Sequence, residues 1–157
     1  MPLSAEDESA LRSFIPVAIL DRLAVGQTAW LAELRRITVL FIYLPGFNET
    51  STELLSSKQS TMRALQSIIE DLEGSINKLS VDDKGVSMLV AFGLPPLAHE
   101  DDAVRGIEAA LKVQSQLAQL GEQVAIGVTT ARVFCGSVGS DTRREYTMIG
   151  EGVNLAA

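Results

Sequence analysis

The sequence is poor in residues that usually carry chemistry. Cys135 is the single cysteine in 157 residues, which excludes an internal disulfide. It has no neighbouring ligand cluster and reads as a small strand residue. The single histidine, His99, lies in a polar stretch ahead of a helical pattern and reads as solvated rather than as an acid-base group. Basic residues are outnumbered, 13 against 20 acidic, and the net charge of −7 argues against binding nucleic acid through its phosphate backbone. Any bound polyphosphate would need local charge or a metal. No run of about 18 apolar residues occurs, and the start, Met1 to Glu8, is acidic, so neither a transmembrane helix nor a secretory signal is expected and the expected location is cytoplasmic. Internal repeats and low-complexity segments are also missing.

What is present suits one soluble domain with a substantial core: 46% hydrophobic residues against 21% charged. Residues 5–25 carry Leu11, Phe14, Ile15, Ala18, Ile19, Leu20 and Leu23, with Pro16 placed to open a second helix, which predicts a helical lead-in. Trp30, Leu31 and Leu34 continue that apolar character, so the lead-in is taken as 1–35, and Trp30 as its packing anchor. Residues 36–44 are β-branched and aromatic throughout and predict a central strand buried on both faces, ended by Pro45-Gly46. Leu54, Leu55, Met62, Leu65, Ile69 and Leu72 fall at helical spacing, with Gly74 at the cap position. Residues 75–81 and 85–92 read as two strands joined by Asp82-Asp83-Lys84. A second helix follows from Glu100-Asp101-Asp102, with Ala103, Ile107, Ala110, Leu111 and Leu117 on one face and Gly121 closing it. Residues 123–130 and 132–138 predict two further strands. This order gives an α+β fold with a ferredoxin-like βαββαβ core, an antiparallel sheet with helices on one face, an N-terminal helical segment and a C-terminal hairpin and helix.

The C-terminal stretch from Arg143 to Ala156 is the most informative. Tyr146 and Met148 alternate with polar residues, Gly150-Glu151-Gly152 breaks the strand, and Val153-Asn154-Leu155-Ala156 opens a helix. Thr147 and Asn154 sit among apolar neighbours and need partners. Arg143 and Arg144, next to Glu145, read as exposed ion-pairing residues.

Arg144, Glu145, Tyr146, Thr147, Ile149, Gly150, Val153, Asn154 and Ala156 together resemble the class III nucleotidyl cyclase pattern R-x-E-Y-T-x-I-G-x-x-V-N-x-A-x-R. That pattern continues with an arginine beyond Ala157, which implies a chain cut from something longer. The likeness extends over 36–157, the expected catalytic domain. It takes in Val39-Leu40-Phe41, Gly46-Phe47, Ala91-Phe92-Gly93-Leu94-Pro95, Asp101-Asp102-Ala103, Ile126-Gly127-Val128 and Cys135-Gly136-Ser137-Val138-Gly139.

The resemblance implies two metal-binding aspartates, and here the sequence departs from it. The first belongs in F-x-D-I-x-G-F, where this chain has Tyr43, and a phenol does not replace a carboxylate as a Mg²⁺ ligand. The second belongs in a G-D-G turn, where this chain has Val81-Asp82-Asp83-Lys84-Gly85. Asp83 or Asp82 lies in that region, though two exposed hairpin acids beside a lysine are the plainer reading. Base recognition is better kept. The family's lysine for the adenine ring falls on Lys78, and its partner for the exocyclic amine falls on Thr147, seven residues before Asn154, the ribose-orienting and catalytic asparagine.

This division resembles the second catalytic half of the soluble, bicarbonate-responsive adenylyl cyclases, in Asp83-Lys84-Gly85 and in Arg132-Val133-Phe134-Cys135-Gly136. It implies a half-domain that binds ATP with Mg²⁺ or Mn²⁺ held mainly by a partner cyclase domain, forms cyclic AMP and pyrophosphate in a homo- or heterodimeric site, and is inactive alone. The alternative is a degenerate cyclase fold acting as a regulatory or dimerisation module.

Overall fold

In a computed structural model, which describes residues 4–12, 15, 20, 24, 32–47, 52–140 and 144–157, the chain is built around β1 (Ala32–Pro45). Its residues from Ile37 to Leu40 are all buried, as a strand with apolar residues on both faces requires. The other elements are α1 (Ala5–Arg12), α2 (Thr52–Asp71), β2 (Ser75–Val81), β3 (Gly85–Phe92), α3 (Asp102–Gln119), β4 (Ala125–Gly139), β5 (Arg144–Ile149) and α4 (Glu151–Ala156). The five strands form one antiparallel sheet in the order β2-β3-β1-β4-β5. Among the described residues no helix is long and apolar enough to cross a membrane.

The two long helices cover one face. Leu40, Ile42 and Leu44 of β1 and Val86, Met88, Val90 and Phe92 of β3 meet Leu65 and Ile69 of α2, Leu72 just after it, and Ala109, Val113 and Leu117 of α3. A Cβ at Gly106 would stand 2.6 Å from the Thr38 methyl, so the missing side chain lets α3 lie close on β1. The opposite face carries Ile37, Val39, Ala91, Val133, Cys135 and Met148, covered in part by α4 through Ala156. There a Cβ at Gly127 would overlap the Ala156 carbonyl oxygen, and one at Gly152 would overlap the Ala131 methyl.

Three expectations change. Leu34 and the other residues from 32 to 35 lie on β1, not in a helical lead-in, because Leu34 pairs with Phe134 in the ladder to β4. The two strands expected over 123–138 are one strand, β4, since pairing with β1 continues through Thr130↔Thr38, Ala131↔Ile37 and Arg132↔Arg36, and none of these residues favours a turn. The cap of α2 is Glu73, at φ 59°, rather than Gly74. The Gly74 N–H closes the turn onto the Ile69 carbonyl at 2.8 Å, while Gly74 itself makes room for Phe92, whose ring carbon would lie 2.7 Å from a Cβ there. Of the lead-in, α1 forms behind a Ser4–Asp7 capping box: the Asp7 N–H donates to Ser4 Oγ and the Ser4 N–H to Asp7 Oδ2, each at 3.1 Å. Phe14, Ala18, Ile19, Leu23, Trp30 and Leu31 lie outside the described residues.

Candidate functional site

β2 and β5 are the two ends of the sheet order, yet they are tied together. Asn77 Nδ2 of β2 donates to the Tyr146 carbonyl of β5 at 3.1 Å, which coiling of the sheet makes possible. Lys78 follows Asn77, and Thr147 follows Tyr146, so two residues 69 positions apart in the sequence flank one gap between strand edges.

A β-bulge decides where Lys78 points. The β2–β3 register runs Ile76↔Val90 and then Lys78↔Leu89, leaving Asn77 as the extra residue. Val90 belongs to the core under the helices, whereas Leu89 packs with the opposite face. The extra residue therefore puts Lys78 on the face away from the long helices, exposed, with no side-chain partner among the described residues. Thr147 is half-buried and pairs with Gly136. Strand alternation turns it away from Met148, which is buried with Cys135. Lys78 and Thr147 thus share the gap, not a face. On the Thr147 side of β5, cross-strand pairs line up Leu34, Phe134 and Ile149, and Leu34 is 72% and Ile149 53% exposed. Asn154, on α4, is exposed and lines an open hollow of about 730 Å³ with Thr129, Thr130, Arg132, Glu151 and Leu155. Its side chain too has no partner among the described residues.

The carboxylate side of the site differs. Tyr43 stands between Ser87 of β3 and Ala125 of β4, and its hydroxyl donates to the Lys84 carbonyl at 3.0 Å. Asp82 Oδ1 accepts the N–H groups of Lys84 at 2.8 Å and Gly85 at 3.0 Å, so that carboxylate closes the β2–β3 turn. Asp83 is exposed beside it. Among the described residues no group of three His, Cys, Asp or Glu side chains converges in a way that would hold a metal. A two-metal site needs carboxylates facing one another across strands, and these residues do not fit one.

His99 is not solvated as expected. It is half-buried, with Nε2 2.8 Å from Glu73 Oε2, while its backbone N–H donates to Asp102 Oδ2 at 3.0 Å. Arg105 joins the same cluster, 2.7 Å from Glu73 and 2.8 Å from Asp101. The Arg105 hydrogen bond holds the Asp101 carboxyl below its usual range. Sequence reasoning missed this cluster because Glu73 reaches it only through the left-handed turn that ends α2. Cys135 is fully buried, and burial, with the Glu33 carboxylate adding to it, pushes its thiol up to about 11. That makes it an inert strand residue. Arg143 lies outside the described residues, as does the Arg144 side chain.

The model of the adenylate and guanylate cyclase catalytic domain matches residues 31–157. Adenylate cyclase type 10 of Oryctolagus cuniculus is 34% identical over 154 residues, covering 96% of this chain and 10% of that protein. The chain thus spans about a tenth of the curated relatives it matches first. A bacterial light-regulated adenylyl cyclase superposes with a TM-score of 0.79 at 18% identity, covering 96% of this chain and 47% of the other. The guanylyl cyclase Cya2 superposes with a TM-score of 0.61 at 29% identity, covering 80% of this chain and 68% of the other.

Proposed function

The chain belongs to the adenylate and guanylate cyclase catalytic-domain family, and from that premise we propose that it is an adenylyl cyclase half-domain, supplying adenine and ribose contacts in a dimeric cytoplasmic site. The observation that supports this reading is the Asn77–Tyr146 hydrogen bond, since Lys78 and Thr147 are the next residues on the two strands it links. Exposed Lys78 and half-buried Thr147 are accessible to a ligand. The Lys78 ammonium, a donor only, suits a ring nitrogen of adenine. The Thr147 hydroxyl accepts from the exocyclic amine. Asn154 orients the ribose so that its 3′-hydroxyl faces the α-phosphate, and rate is gained through positioning.

Tyr43 and Asp82 do not fit a two-metal centre, so Mg²⁺ or Mn²⁺ is assigned to the aspartates of a partner cyclase domain. The row of exposed Leu34 and Ile149 with half-buried Phe134 between them, beside Thr147, supports a partner docked there, since its burial on association is favourable. Tyr43, with its hydroxyl spent on Lys84, also favours a second reading, a regulatory or dimerisation module.

Cyclic AMP formation from Mg²⁺-ATP or Mn²⁺-ATP separates the two readings. The chain, in a version extended past Ala157, is measured alone and mixed with an aspartate-bearing cyclase domain. The half-domain is silent alone and active in the mixture, and Lys78→Ala or Asn154→Ala lowers kcat/KM there by about 10- to 100-fold, the loss of one charged or transition-state contact. Robust turnover by the chain alone refutes this reading. A stable dimer that neither turns over nor binds ATP establishes the regulatory module.

A further inference from the structure

We propose that Asn77 is a positioning residue for base recognition: a strap between the two edge strands that sets the width of the gap flanked by Lys78 and Thr147. This rests on the base-binding reading of those two residues.

Asn77 is the surplus residue of the bulge and has no partner across the β2–β3 ladder, so register does not consume its side chain. The contact to Tyr146 fixes the orientation of the carboxamide. A carbonyl only accepts, so the amino group faces β5 and Oδ1 faces elsewhere. Oδ1 is buried and has no donor among the described residues. An unmet buried acceptor opposes folding, so the carboxamide is a poor choice for stability alone. A leucine here would leave no acceptor unmet. It could not hold the Tyr146 main chain at hydrogen-bond distance. The Tyr146 carbonyl and the Thr147 nitrogen belong to one planar peptide unit, so fixing the first orients the second. Lys78, adjacent on the other strand, is carried by the same link. Releasing it moves both base contacts at once while leaving Asn154 on a separate helix.

The test uses the chain mixed with an aspartate-bearing cyclase domain, with KM and kcat measured for ATP and GTP. Asn77→Ala raises KM for ATP about tenfold, the scale of one hydrogen bond, leaves kcat unchanged and narrows the preference for ATP over GTP. Asn77→Asp keeps the shape and supplies the folding control. At neutral pH its carboxylate faces a carbonyl and the variant behaves as Asn77→Ala. On acidification the protonated carboxyl donates and KM recovers, relative to wild type at the same pH. If Asn77→Ala retains the wild-type KM and preference while Lys78→Ala loses them, the strap is overturned and the base-binding reading stands. If Lys78→Ala changes neither, the base-binding reading falls as well. Should the mixture turn over neither nucleotide, calorimetric affinities for ATP and GTP decide in the same way, and absence of ATP binding by the wild-type chain overturns both.

Discussion

The two faces of the sheet are finished differently. On the face of α2 and α3, the fully buried side chains of Leu40, Ile42, Leu65, Ile69, Val113 and Leu117 interlock. At the ends of those helices, Glu73, His99, Asp101 and Arg105 tie the turn after α2 to the first turn of α3. On the other face a six-residue helix covers only part of the strands, Phe41, Leu89 and Tyr146 are half-covered, and Lys78 and Asn154 project into solvent. One face is closed by two long helices, and the other is left partly open.

Substitutions can break or sharpen that contrast. The largest stability effect belongs to the closed face: Leu65→Ala is expected to cost about 2–5 kcal/mol, read as a fall in the urea midpoint, because the packed helices cannot collapse into the space. Gly127→Ala acts on the other face. A methyl there meets the Ala156 carbonyl, so α4 shifts outward at about 1–3 kcal/mol. Cyclase activity in the mixture falls with it, since Asn154 moves. A loss of stability without loss of activity would show that α4 does not position Asn154. The smallest effect concerns Cys135. Its thiol, raised to about 11, deprotonates more easily in the unfolded chain, whose ordinary value is 9.0. Stability from this group is therefore full below pH 9 and declines as pH rises from 9 toward 11. Iodoacetamide should label Cys135 at pH 8 only in denaturant, whereas rapid labelling of the folded chain would mean that the strand interior opens readily.

Much of the fold was legible because it rests on local periodicity. The β-branched run of β1, the apolar spacing of α2 and α3 and the Asp82–Gly85 turn each carry their own signal, and the C-terminal motif marked β5 and the start of α4. What was not legible depends on pairs distant in the chain. Nothing near Ala131 announces that β4 runs unbroken, because β1 enforces that continuity. Glu73 offered no sign of taking the left-handed position ahead of Gly74. The glycine was claimed by Phe92, and the glutamate accepts a backbone cost of about 1–2 kcal/mol. Among the candidate residues, Lys78, Thr147 and Asn154 were singled out by motif, but Asn77 was invisible, since its contact depends on a register slip and on a strand at the other end of the sheet.

That slip can be described as a change of parity. Before it, even-numbered residues of β2 face the helices, as Ile76 does; after it, odd-numbered ones do, with Leu79 opposite Met88 and Val81 opposite Val86. Deleting Asn77 would therefore leave a regular ladder with Lys78 still opposite Leu89 and Leu79 still opposite Met88, and would remove only the link to Tyr146. Drawing Asn77 into the ladder opposite Leu89 would do the reverse: Lys78 and Ser80 would turn to the helices, and Leu79 and Val81 to the gap. The facing of the whole rim thus depends on one residue staying outside the ladder, and the strand's apolar residues act as the check digit that penalises its entry.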